Sequence, residues 1–278
     1  AWYGDRLILL PQYPSRFGGA IFALDRAEIS AYLRGDRTEP LQPVRIAFDD
    51  GALEDLTPGF EGFEAIAFAG DRAYLTVETR SPLEMLGILV SGEMTLGGSL
   101  LSVDPFVQAT LPAQAALRNM TDESVVHFGN LVMTLYEANG TNVNSQPQAR
   151  LFDQTTLTSL GSVPLATLEY RLTDATAMDD QGRFWVINYL WPGDIDVLRP
   201  PTGPPDNGPS GVERLVELQI TEEGVFPSPT PPITLQLLPG GIFRNWEGVA
   251  RFEDDELDGF LLVTDRFPTT MLGFVERE

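Results

Sequence analysis

Residues 64–78 read Glu64-Ala65-Ile66-Ala67-Phe68-Ala69-Gly70-Asp71-Arg72-Ala73-Tyr74-Leu75-Thr76-Val77-Glu78. An acid opens the stretch, a small residue follows it, and a Gly-Asp turn divides two apolar runs of strand length. The second run closes on another acid, 14 residues after the first. The same outline returns three times. Glu123-Ser124-Val125-Val126 runs to Glu137, and Asp174-Ala175-Thr176-Ala177 runs to Asn188, each over the same 14 residues. Glu247-Gly248-Val249-Ala250 runs to Asp265 over 18, with a longer turn, Glu253-Asp254-Asp255-Glu256-Leu257-Asp258-Gly259. A half-repeat starts the chain: Gly4-Asp5-Arg6, an apolar run, then Gln12, parallel to Gly70-Asp71-Arg72 and Glu78.

The second runs end at residues 12, 78, 137, 188 and 265, so the copies lie 51 to 77 residues apart. Each interval suits one four-stranded antiparallel blade with variable loops, and radial repetition of such blades builds a β-propeller. The predicted fold is therefore all-β: a single propeller domain over residues 1–278 with five blades, a six-bladed ring being the alternative. The first blade is expected to lack its inner strand and the last an outer one. Further strand-length runs lie at 6–10, 20–24, 86–90, 131–136, 184–187, 214–220, 233–238 and 261–264. The 22 prolines and 26 glycines fall largely between such runs. Helical periodicity is scarce, and 113–118 is the best short helical candidate.

Composition narrows the chemistry. The 278 residues carry a net charge of −22, one histidine and no cysteine, and all 18 basic residues are arginine. Disulfides, thiol nucleophiles and cysteine–zinc sites are excluded, and one imidazole cannot build a histidine-rich metal site. Such acidity argues against nucleic acid or an anionic membrane as partner. No apolar run approaches the roughly 18 residues of a membrane span. A chain that opens at Ala1-Trp2 reads as a mature secreted or periplasmic product, and a monomer is expected.

Hairpin geometry turns the spacing into a site. The start of one strand and the end of its antiparallel partner share one end of the hairpin. Glu64 and Glu78, Glu123 and Glu137, Asp174 and Asn188, and Glu247 and Asp265 thus form pairs. If the first strands line the central channel, all the pairs crowd one mouth, with Gln12 joining from the first blade. At about 5 Å and an effective dielectric near 20, each carboxylate pair costs roughly 3 kcal/mol. A hard divalent cation relieves this, and Ca²⁺ accepts six to eight oxygens in flexible geometry. Glu64, Glu123, Asp174 and Glu247 are the expected ligands. Glu78, Glu137 and Asp265 are the candidate catalytic carboxylates. Arg16, Arg80 and Arg266 follow second strands on the same face, where guanidinium forks would hold a small anionic substrate. Asn188 and Trp191, at the start of a Pro/Gly-rich insertion over 189–211, complete the expected substrate contacts.

Other signals are weaker. His127 reads as a packed blade residue. The turn Asp254-Asp255-Glu256-Leu257-Asp258-Gly259 is similar to a calcium loop but carries Glu256 at its third position, and it reads as a solvated acidic turn. Asn119-Met120-Thr121 and Asn139-Gly140-Thr141 are glycosylation sequons. The G-x-S-x-G, P-loop, G-x-G-x-x-G and H-E-x-x-H patterns are absent.

Phe63-Glu64-Ala65-Ile66-Ala67-Phe68 with Asp71-Arg72-Ala73-Tyr74-Leu75, and Asn245-Trp246-Glu247-Gly248-Val249-Ala250 ending at Thr264-Asp265-Arg266, resemble the E-G-I-A…strand…D-R repeats of phytase-like propellers, also called esterase-like-activity-of-phytase domains. The resemblance covers the repeats and not the loops. The axial acid ring is also similar to that of calcium-activated nucleotidases, which are five-bladed, and more distantly to lactonases of the gluconolactonase and paraoxonase type. These resemblances imply Ca²⁺ in the channel and hydrolysis of phosphate esters or lactones. The chain departs from the lactonase pattern, in which asparagines are common ligands and a histidine often assists.

Overall fold

The computed structural model describes residues 1–81, 85–198, 212–235, 244–265 and 269–277. They form five antiparallel units in chain order. The first holds β1 (Trp2–Tyr3), β2 (Arg6–Leu9), β3 (Ala20–Asp25) and β4 (Val44–Asp49). The second holds β5 (Phe60–Ala69), β6 (Arg72–Arg80), β7 (Met85–Thr95) and β8 (Leu100–Pro112). The third holds β9 (Asp122–Phe128), β10 (Leu131–Tyr136), β11 (Gln148–Asp153) and β12 (Ser159–Pro164). The fourth holds β13 (Arg171–Ala175), β14 (Arg183–Leu190), β15 (Val212–Thr221) and β16 (Gly224–Pro227), with β17 (Ile233–Thr234) also on β15. The fifth has three strands, β18 (Trp246–Glu253), β19 (Asp258–Thr264) and β20 (Leu272–Glu276). This is a five-bladed β-propeller. Parallel pairing of β4 with β8 joins the outer edges of blades one and two.

Turn chemistry sets the inner hairpins. Two-residue turns join β1 to β2, β5 to β6 and β9 to β10, each with a glycine first: Gly4, Gly70 and Gly129, at φ of 55°, 60° and 55°. Such positive φ is open to glycine without strain and matches the twist of a tight hairpin. These are the Gly-Asp and Gly-Asn pairs of the repeat.

Five apolar clusters sit between the blades and close the ring. Ile21 and Ile46 of blade one meet Phe63 and Leu75 of blade two. Ala65 and Tyr74 meet Val125 and Phe152 of blade three. Val126 and Leu135 meet Leu172 and Phe184 of blade four. Trp185 and Ile187 meet Val249 and Leu262 of blade five. Leu7, Leu24 and Ile29 meet Ala250, Phe252 and Leu261, which returns to blade one. Burial of one such side chain contributes about 1.5–3 kcal/mol. Among the described residues no strand is shared across this last seam. Trp2 Nε1 donates to the Arg251 carbonyl at 2.7 Å, and Trp2 packs on Phe252.

Two expectations need correction. Blade one does have an inner strand, although it is only the two residues of β1. Residues 113–118 are irregular and hold no helix. A helix instead follows β3, α1 (Arg26–Leu33), where the Asp25 side chain caps the amides of Ala27 and Glu28. The capping acid and Glu28 three residues on fix that helix start. Among the described residues no helix is long and apolar enough to cross a membrane.

Candidate functional site

A backbone irregularity repeats at the head of every inner strand from blade two to blade five. In β5, Phe63 faces Val77 and Ala65 faces Thr76, so Glu64 is an extra residue. In β9, Asp122 and Ser124 face Tyr136 and Leu135, leaving Glu123 extra. In β13, Leu172 and Ala175 face Asn188 and Val186, so Thr173 and Asp174 oppose Ile187 alone. In β18, Trp246 and Gly248 face Thr264 and Val263, leaving Glu247 extra. A bulge puts two residues against one and re-aims a side chain. Phe63 accordingly packs toward blade one and Ala65 toward blade three, although two residues apart on a regular strand share a face. The small residue after each acid has a steric reason at Gly248, where a Cβ would stand 2.4 Å from Val263 Cγ1.

The bulges bring the acids of four blades into one another's field. The Glu64 carboxyl is pushed well above its ordinary range by burial, then by Glu78, Glu247 and Glu137. Glu123 is raised well above its range by burial, Glu137 and Glu247. Burial raises Glu247 to about 8, with Glu137 adding to it, and Asp174 to about 7. Glu78 and Glu137 are both raised to about 7, again by burial first, while Arg171 pulls each back down. Two of these acids accept bonds from the protein: Glu64 Oε1 from Gln12 Nε2 at 3.2 Å, and Asp174 Oδ2 from the Val249 amide at 2.7 Å. A cavity of about 70 Å³ lies against Glu64, Asp174 and Glu247 and has room for a few waters.

Glu123 and Glu137 lie in each other's field, each with a buried oxygen that finds no hydrogen-bond donor. Ionised carboxylates only accept hydrogen bonds, so neither can satisfy the other unless one carries a proton or a cation joins them. Glu123 Oε2, Glu137 Oε2 and Glu78 Oε1 are buried without a hydrogen-bond donor. Among the described residues, no three acidic or imidazole side chains stand already gathered as a metal site.

The guanidinium that enters the acid ring is Arg171, which the repeat reading passed over. Its Nε lies 2.8 Å from Glu137 Oε1 and 3.1 Å from Asp194 Oδ2. Burial alone would lower its pKa, but Glu137, Glu123 and Asp194 outweigh that and raise it. Tyr170, just before it, has φ of 76°, a left-handed backbone that costs an aromatic residue about 1–3 kcal/mol and tends to mark functional sites. The overlooked signal is an offset: Arg171 stands three residues ahead of Asp174, as Arg244 stands three ahead of Glu247.

The remaining candidates scatter. Asn188 is fully buried; it donates to the Glu169 and Arg171 carbonyls and accepts from Arg214. Its side chain supports the Arg171 backbone and is not presented to a ligand, which corrects its expected role. Arg16 stacks over Tyr13 at 3.8 Å. Arg80 is exposed and sits 3.3 Å from Glu61. Asp265 is exposed, and its amide donates to the Asn245 carbonyl. Trp191 is 45% exposed beside Tyr189. Arg266 and most of the 189–211 insertion, residues 199–211, lie outside the described residues. His127 stacks on Tyr74 and meets Gln154 Oε1 at 2.9 Å. Asp254 caps its own turn at Glu256 and Leu257. The Asn139 sequon has its asparagine wholly buried, whereas Asn119 is exposed.

No family model matches the chain, and no curated protein matches it. Solved structures resemble it in outline. A GH43 endo-arabinanase from Bacillus licheniformis is 10% identical at a TM-score of 0.47, covering 100% of this chain and 95% of that one. A europium-containing methanol dehydrogenase is 9% identical at 0.37, covering 94% and 46%. A Synechocystis apocarotenoid oxygenase mutant is 15% identical at 0.36, covering 100% and 59%. Likeness this distant carries no argument, and function rests on the chain's own residues.

Proposed function

We propose that the chain is a calcium-dependent propeller hydrolase acting at the axial mouth on a small anionic ester, a phosphate ester first of all. The buried carboxyl oxygens of Glu123, Glu78 and Glu137 that find no hydrogen-bond donor, with Arg171 beside Glu137, carry this reading. Glu64, Glu123, Asp174 and Glu247 would hold the ion. The donor set fits: it is all hard oxygen, drawn from four blades, and the chain has no cysteine to compete. The hydrogen bond from Gln12 occupies one oxygen of the Glu64 carboxyl. When bound, calcium supplies a Lewis acid toward the ester's anionic oxygens. Glu78 and Glu137, raised to about 7, suit proton transfer from an attacking water near neutral pH. Arg80, exposed at the rim, would steer the anionic group inward, and Trp191 would wall the mouth. The short motifs shared with phytase-like propellers support the same substrate class.

A second reading, that the ion only locks the blades around a ligand- or protein-binding face, has its own observation: among the described residues no strand crosses the seam between blades five and one. Turnover on panels of phosphate esters and lactones, with EGTA and after calcium is restored, separates the two. Turnover lost in EGTA and regained with calcium supports the hydrolase. A lower melting temperature in EGTA with no turnover on any substrate supports the structural ion. No calcium binding by calorimetry overturns both.

A further inference from the structure

Arg171 is held from behind and approached from two sides. Its carbonyl accepts from Asn188 Nδ2 at 3.1 Å, Asn188 is itself fixed by Arg214, and residue 171 bridges to Ala138 of the neighbouring blade. Its two carboxylate partners differ in kind. Glu137 is completely buried, and its amide is bonded to the Thr121 carbonyl. Asp194 is 24% exposed on a three-residue turn, where its amide donates to Trp191. One partner is part of the sheet, and the other reaches in from the mouth. Guanidinium forks bind carboxylate and phosphate in the same manner. By contrast, Arg80 is exposed and Arg16 lies flat on a tyrosine.

We infer that Arg171 is the anion-anchoring residue of the mouth, and that Asp194 is a displaceable internal carboxylate standing where the substrate's anionic group will sit. Glu137 keeps the guanidinium oriented, and an incoming phosphate monoester exchanges with Asp194 without stranding a charge. Trp191, three residues earlier on the same turn, moves with the exchange. The inference takes its substrate class from the proposed hydrolase but does not depend on calcium.

The test is calorimetric titration of the full chain with phenyl phosphate, in calcium and in EGTA. Asp194→Asn is expected to bind roughly threefold or more tightly, as removal of a competing ion pair requires. Asp196→Asn removes the same charge two residues on and is expected to stay within about twofold of wild type, because Asp196 is exposed and has no contact with Arg171. Arg171→Lys keeps the charge but loses the fork, and is expected to bind about tenfold more weakly at an unchanged fold by circular dichroism. Equal affinity in wild type and Arg171→Lys, an Asp194→Asn no tighter than Asp196→Asn, or no binding by either wild type or Asp194→Asn would each overturn the inference. Calcium binding is read in a separate titration, so loss of the metal reading leaves the EGTA comparison standing.

Discussion

Glu213 and Glu123 are both buried, at 2% and 8% exposure, yet their surroundings are opposite. Glu213 accepts from the Arg244 amide at 2.6 Å, from Arg244 Nη2 at 3.0 Å and from Trp246 Nε1 at 3.3 Å. Glu217 likewise takes the hydroxyls of Ser228 and Thr230, and Asp122 takes Thr134 and Arg150. Glu123 meets another carboxyl and has one oxygen with no donor. A buried carboxylate surrounded by donors holds structure together. Buried carboxylates aimed at each other keep their binding capacity for something that arrives.

The largest test of that contrast is stability. Glu213→Gln leaves Arg244 short of its charge partner and is expected to cost about 3 kcal/mol in urea melts. Glu123→Gln in EGTA is expected to cost nothing or to stabilise, since a neutral amide replaces a buried carboxyl that its neighbours already disfavour as an anion. Equal losses in the two variants would break the comparison.

Next is pH. Glu78, Glu137 and Asp174 sit at about 7 and Glu247 at about 8, against ordinary values of 3.8 for Asp and 4.5 for Glu. Between about pH 4.5 and 8 the folded metal-free chain binds more protons than the unfolded one, so its stability falls as pH rises through that window. The expected loss is on the order of a few kcal/mol between pH 5 and pH 8. Calcium, which binds the ionised form, is expected to raise the melting temperature more at pH 8 than at pH 5. A larger calcium shift at pH 5 would contradict the assignment of these acids to the ion.

Smaller again, Glu123→Gln is expected to weaken calcium affinity at least about tenfold, while Glu217→Gln, away from the axis, leaves it unchanged. The smallest effect belongs to Arg80→Ala: its exposed pair with Glu61 is worth less than about 1 kcal/mol, and a larger loss on thermal melting would mean that the rim carries load.

Much of the axial ring was legible because repetition prints the same local problem four times. An acid and a small residue mark four inner strands, and a 14-residue hairpin recurs in three of them. The bulge itself was not legible, since it exists only in the register between two strands. Arg171 was missed because its offset from the acid recurs only once, at Arg244 and Glu247, and is absent from the copies at Glu64 and Glu123. The short helix at Arg26–Leu33 was missed because it buries little more than Ile29 and Ser30, leaving no long apolar stripe.

The sequence alone determined the propeller repeat, with five or six blades left open, the turns and the position of an acid at the head of four inner strands, because these are local and periodic properties of the chain. Tertiary structure decided which acids became satisfied supports and which were left facing the axis. It also brought Arg171, among the described arginines, in between them. Residues such as Glu213 and Glu123 are chemically identical carboxylates, and only the donors that the fold brings within about 3 Å tell them apart.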